Sequence, residues 1–155
     1  MRDFQRQKVY DAESEWRLGM KNQKMEFPTL SLDEIERQAK FMLESRRIFK
    51  PVLIRDGRGH RRATAHDGLW ATLTFPVWSR TLPIVIHEVA HIIGKDRHGP
   101  AFCRASLCLV RDYLGLTQAS LLQTYYMKHR VVVSEAQEAH RNRKSQIEAR
   151  LKISL

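Results

Sequence analysis

The chain has 155 residues, with 27 Lys and Arg against 17 Asp and Glu, a formal charge of +10 and a pI near 10.1. Its 43% hydrophobic and 28% charged residues are those of a water-soluble domain able to bury about two-thirds of its unfolded surface. No apolar run approaches the roughly 18–20 residues of a membrane span and Met1-Arg2-Asp3-Phe4 opens no signal peptide, so a cytoplasmic protein without a membrane partner is expected.

Residues 4–18 set Phe4, Val9, Ala12 and Trp16 at near-helical spacing among charges, which predicts a first amphipathic helix. Residues 19–30, with Gly19 and Pro28, read as a connector. Ser31-Leu32-Asp33-Glu34 is a capping box, and Leu32, Ile35, Ala39 and Met42 form one stripe of a second helix running to about Arg47. Neither helix is assigned any chemistry.

From Phe49 the helical period is lost. Val52-Leu53-Ile54 reads as a short strand, Asp56-Gly57-Arg58-Gly59 as a turn whose glycines supply positive φ, and residues 61–65 as the returning half of a hairpin. Leu69, Ala71, Leu73 and Phe75 then alternate with Trp70, Thr72 and Thr74 in a half-buried strand that Pro76 ends. The expected sheet is small, three-stranded and antiparallel. Arg46, Arg47, Lys50, Arg55, Arg58, Arg61 and Arg62 bracket the hairpin. Such a cluster grips phosphates by counterion release or forms a solvated face, and no nucleic-acid module signature accompanies it.

Ile84-Val85-Ile86-His87-Glu88-Val89-Ala90-His91-Ile92-Ile93-Gly94 places two imidazoles and a carboxylate in an otherwise apolar helix, with Ser79 and Thr81 as start signals, Pro83 in the first turn and Gly94 as the stop. At 3.6 residues per turn His87 and His91 lie one above the other, so both can reach a single ion at about 2.0–2.1 Å. Glu88 is turned about 100° from them, beside the ion, where a carboxylate can take a proton from water. This is the H-E-x-x-H pattern of zinc hydrolases. His98, in His98-Gly99-Pro100, returns a third imidazole, and three ligands with an open fourth position is the catalytic form of a zinc site. Asp96 and Asp112 are alternative third ligands, ranked below His98. Without a metal, His87 and His91 would be satisfied core histidines.

Residues 100–113 predict a helix with Pro100 at its start, Phe102, Leu107, Val110 and Leu114 facing inward and Gly115 as the stop. Cys103 and Cys108 lie about 140° apart on it, poorly placed to bridge and read as core filler. A further helix over 117–128 carries Leu121, Leu122 and Tyr125, and Val131-Val132-Val133 extends or packs back on the core. Residues 134–155 form a basic, helix-prone tail with a thin apolar stripe, a projecting helix or partly disordered. The chain therefore divides into one domain, 1–133, and this tail.

The element order, α+β with two N-terminal helices, a small antiparallel sheet, the motif helix and further helices, resembles the zincin metallopeptidase scaffold. There a strand antiparallel to bound substrate precedes the motif helix, a role for residues 69–75. His87-Glu88-Val89-Ala90-His91 followed by His98-Gly99-Pro100-Ala101-Phe102 is similar to the SprT-like group. Arg2-Asp3, Gln5-Arg6 and Val9-Tyr10, with Tyr126, His129 and Val131, resemble a small family of metallohydrolases from actinobacteria and their phages, over residues 1–133. The resemblance implies one zinc ion, three His ligands and hydrolysis; SprT-like relatives include proteases acting on DNA-bound proteins. The metzincin pattern is not met, since Arg97 stands where its third His belongs and no Met-turn follows.

The expected function is a zinc metallopeptidase with His87, His91 and His98 as ligands, Glu88 as general base and a protein or peptide substrate. Tyr125, Tyr126, His129 and Arg97 are candidates to stabilise the oxyanion. The alternative is a nucleic-acid-associated module, bound through its basic surface, in which zinc is mainly structural.

Overall fold

Helix α1 (Arg6–Asn22) buries Val9, Ala12, Trp16 and Met20 along one stripe. In this computed structural model, which describes residues 3–135, α1 begins and ends later than the expected 4–18, leaving Phe4 exposed and Gly19 inside the helix. Met20 continues the stripe one turn beyond Trp16, and its burial outweighs the roughly 1 kcal/mol that a helical glycine costs. Helix α2 (Leu32–Ser45) starts as read: the Glu34 N–H donates to the Ser31 hydroxyl at 3.2 Å, and the Ser31 N–H donates to the Glu34 carboxylate at 2.7 Å.

The sheet departs from expectation. Strands β1 (Val52–Asp56), β2 (Thr64–Asp67) and β3 (Ala71–Phe75) stand in the order β1-β3-β2, so the sheet is mixed, with β1 parallel and β2 antiparallel to β3. Burial decides the order. Ala71, Leu73, Phe75 and Thr74 are buried, which suits β3 to the centre, whereas β2 is mostly exposed and tolerates an edge. The 57–63 link therefore crosses the end of β3 instead of turning a hairpin. Gly57 makes that crossing, donating its N–H to the Phe75 carbonyl at 2.9 Å, and a Cβ there would lie 2.5 Å from the Pro76 nitrogen. Of the two glycines in the turn only Gly59 has positive φ, +80°. Leu69, read as the first inward residue of the strand, is 92% exposed in the β2–β3 connection.

Helix α3 (Leu82–Gly94) follows a short 3-10 turn (Val77–Ser79) and is buried nearly all round, as its unbroken apolar composition requires. It packs on α2, β2, β3 and α4 (Pro100–Leu114), while α5 (Leu116–Lys128) joins α4 to α1. The left-handed residue ending α3 is Lys95, φ 58°, rather than Gly94. Gly94 answers a different need: a Cβ on it would stand 2.4 Å from the Phe102 nitrogen, so its lack of a side chain lets α4 approach. Gly115, φ 91°, separates α4 from α5. Cys103 is buried and Cys108 half-buried, and both are free thiols in α4. Val131 packs back on the core. The tail expected over 134–155 lies, from residue 136 onward, outside the described residues.

Gly94→Ala is expected to cost about 3 kcal/mol in chemical denaturation, because a backbone clash outweighs alanine's better helix propensity. A variant as stable as wild type would show that α4 does not need this close approach.

Candidate metal centre

Helix α3 stacks His87 and His91 one turn apart, with ring centroids 4.9 Å from each other. His98 enters from the loop between α3 and α4, its ring 4.6 Å from His91 and 5.4 Å from His87. One donor atom from each ring lies within 4.8 Å of the others, so the three can hold a metal ion. The Phe102 ring packs against all three, at 5.0, 4.5 and 5.1 Å.

The loop that presents His98 is held by its own backbone. The Asp96 carboxylate accepts the Ala101 and Phe102 N–H groups, each at 2.8 Å, satisfying first-turn donors of α4. A Cβ on Gly99 would stand 2.3 Å from that carboxylate, so only glycine fits. Asp96 is thus a capping residue rather than a third ligand. Asp112, the other alternative, is engaged by Arg46 and Arg111.

Two carboxylates far away in sequence orient the rings. His87 Nδ1 lies 2.7 Å from Glu13, whose other oxygen accepts the Tyr126 hydroxyl at 3.0 Å. His98 Nδ1 lies 2.7 Å from Asp3, and the His91 ring hydrogen-bonds the backbone of Arg97. An imidazole that donates Nδ1–H to a carboxylate presents the lone pair of Nε2, which is the arrangement found behind histidine ligands. His98 Nε2 is buried and has no hydrogen-bond partner among the described residues. An orphaned buried nitrogen is costly unless something accepts its lone pair. Three nitrogen donors, two of them backed by carboxylates, fit a divalent transition metal.

The ionisable groups of the cluster shift one another. Burial alone would raise the Glu13 carboxyl, but His87, Arg17 and Tyr126 bring it down to about 2. The Glu13 carboxylate overcomes the effect of burial on His87 and raises it. His91 falls to about 3, first through burial and then through repulsion by His87 and His98, while burial lowers His98 against the pull of Asp3. Burial raises Glu88 to about 7, with His87 opposing and Glu13 adding.

Glu88 and the three histidines line a cleft of about 540 Å³ together with Asp3, Arg6, Tyr10, Arg62, Lys95, Arg97 and the β2 residues Thr64, Ala65 and Asp67. Of the four oxyanion candidates only Arg97 lines this cleft. Tyr126 is fully buried behind His87, His129 pairs with Glu15, and the Tyr125 hydroxyl approaches Gly19. The substrate-strand role given to residues 69–75 is also displaced, since both sides of β3 are occupied and the strand along the cleft is β2.

Helix α1, assigned no chemistry from sequence, supplies Glu13 and Tyr10, and the segment before it supplies Asp3. Glu13 could have been noticed: it follows Val9 by four residues and so falls on the apolar stripe, where an uncompensated carboxylate does not belong. Gln5 gave no comparable signal. It is buried, donates to the His98 carbonyl at 2.8 Å and pairs both ways with the backbone of Val132.

Metal titration against a competing chelator should show His98→Ala losing the ion and Asp112→Ala retaining it. Asp3→Asn and Glu13→Gln should each weaken binding by roughly 10–100-fold. Wild-type affinity in Asp3→Asn would mean that this carboxylate does not orient a ligand.

Comparison with protein-family models, with curated proteins and with solved structures found no match, which leaves the site itself as the basis for function.

Proposed function

We propose that the protein is a zinc-dependent peptidase of the SprT-like zincin type. The observation that carries this is the His98 Nε2 atom, buried and unpartnered beside His87 and His91, in one cleft with the carboxyl of Glu88. His87, His91 and His98 would hold one zinc ion. When bound, the ion supplies Lewis acidity, drawing the pKa of a coordinated water from about 15.7 towards 7 and polarising a substrate carbonyl.

The chain's own groups do the rest. Asp3 and Glu13 hold two ligand rings in the tautomer that presents Nε2 inward. Glu88, in the same cleft, would take a proton from the attacking water and hand it to a leaving amine. Strand β2 has no partner on its outer side among the described residues, and an extended peptide can add there by main-chain hydrogen bonds. Phe102 and Gly99, the residues that suggest kinship with SprT-like proteins, have jobs that suit it: one packs on all three rings, the other admits the Asp96 cap.

The rival reading, a nucleic-acid module with structural zinc, gains little from the basic segment at 46–62. Arg46 pairs with Asp112, Lys50 with Asp67 and Arg58 with Asp56, so that segment is partly neutralised. A structural zinc site also has no use for a carboxyl at Glu88 and normally closes its fourth position with protein.

Glu88→Gln should retain the metal and lose peptide hydrolysis by about 100-fold or more, and a chelator should abolish hydrolysis by wild type. Digestion of casein and of peptides, with and without DNA, checks both. Turnover by Glu88→Gln equal to that of wild type would remove the general base from this reading.

A further inference from the structure

Around the cleft the charges do not balance. Asp3 is committed to His98, and Asp67 to Lys50 and Lys95. Arg6, Arg62 and Arg97 also line the cleft, are exposed, and form no ion pair among the described residues. Two of these guanidinium groups converge on one ring: Arg6 Cζ lies 5.5 Å and Arg62 Cζ 6.0 Å from the centroid of Tyr10. That ring sits 4.8 Å from His98 and 6.0 Å from His87. Cation–π contact holds the two side chains over Tyr10 without neutralising them, leaving their N–H donors for a partner.

The other side of the site differs. A second lobe of about 310 Å³ shares Tyr10, Arg62, His87 and Glu88 with the first, but it is walled by Trp78 and Ile84. Its further arginine, Arg17, lies 3.5 Å from Glu13 and is thereby compensated. Arg6 and Arg97 line the first lobe alone and Arg62 stands where the two lobes meet, so unpaired positive charge is weighted to the first lobe.

Resting on the peptidase reading above, we propose that Arg6, Arg62 and Arg97 form a subsite for an acidic side chain on one side of the scissile bond. Arginine presents a planar fork that binds a carboxylate through two N–H groups. An acidic peptide fits this geometry better than nucleic acid does. A phosphate backbone needs cations along a track, whereas here Arg6 and Arg62 meet over one ring in a cleft that also holds the Asp67 and Glu88 carboxyl groups.

The test uses the full chain loaded with zinc and fluorogenic peptides of one sequence, in which Asp or Glu is exchanged for Asn or Gln at each position flanking the bond. An acidic residue on one side only should raise kcat/KM by about tenfold, worth roughly 1.4 kcal/mol, and the preference should shrink to about twofold in Arg6→Gln/Arg62→Gln. Arg37→Gln/Lys40→Gln, which removes the same charge from α2, should keep the preference. Cleavage without acidic preference, an equal preference on both sides, or equal loss in the two double variants overturns the subsite while leaving peptide hydrolysis intact. Should no peptide be cut, the peptidase reading fails and binding decides the subsite alone. A labelled acidic peptide should then bind about tenfold more tightly than its amide counterpart, with the advantage lost in Arg6→Gln/Arg62→Gln, and equal affinities overturn it. Displacement of that peptide by a DNA oligomer of matched charge, with the same dependence on Arg6 and Arg62, overturns it in favour of nucleic acid.

Discussion

A carboxylate taken out of water must be met by compensating charge and hydrogen bonds, and Glu13 imposes that requirement on this fold. Its two oxygens are met by His87 from α3 and Tyr126 from α5, with Arg17 one turn along α1. Three helices are therefore tied at one buried point. Removing a single partner from such a point leaves an unpaired charge, at a cost of about 3–5 kcal/mol. The same bond fixes the tautomer of His87, so the interaction that aligns the helices also sets the direction in which the free ring nitrogen of a candidate ligand faces. Stability and site geometry are one constraint here.

Close backbone approach supplies the rest of the site's precision. Gly94 lets α4 sit against the end of α3, and Gly99 lets the loop between them fold onto the Asp96 carboxylate. With Ala101 and Phe102 donating to that carboxylate, the loop carrying His98 has little freedom to rotate. Gln5 then clasps the His98 carbonyl from the N-terminal segment and the Val132 backbone from the C-terminal one. Phe102 fills the space behind the rings, so no ring can swing away without opening a cavity. A ligand set held this firmly loses little entropy on taking up an ion.

What was legible in the sequence is what depends on neighbours along the chain. The capping box at Ser31, the 3.6-residue relation of His87 to His91 and the helix bounded by Pro100 and Gly115 are all local, and each appears where the pattern put it. The sheet order is not legible because its decisive pairing is not local. Val52 meets Ala71 across the sheet, and nothing in the turn chemistry of Asp56-Gly57 distinguishes a hairpin from a crossing. Glu13 and His87 are 74 positions apart and Asp3 and His98 are 95, so spacing says nothing of either pair. The sequence suggested which residues could bind a metal, and only the fold reveals what aims them.

The charge of +10 carries a related lesson. Read as a sum, it suggests a polyanion; the sum already counts every carboxylate, and position adds which cations stand beside one. Arg80 joins Arg58 on Asp56, Lys95 joins Lys50 on Asp67, and Lys128 shares Glu15 with His129. Such exposed pairs add little stability, on the order of 0–1 kcal/mol each, and they reduce the local field without cancelling it, since two cations on one carboxylate leave a net positive charge. Chemical meaning then concentrates where cations lack partners beside a candidate site. In this protein that condition is met at the cleft, where Arg6 and Arg62 lie over Tyr10, itself packed against two of the three histidines. Local imbalance, rather than net charge, is the quantity that can be converted into a statement about what binds.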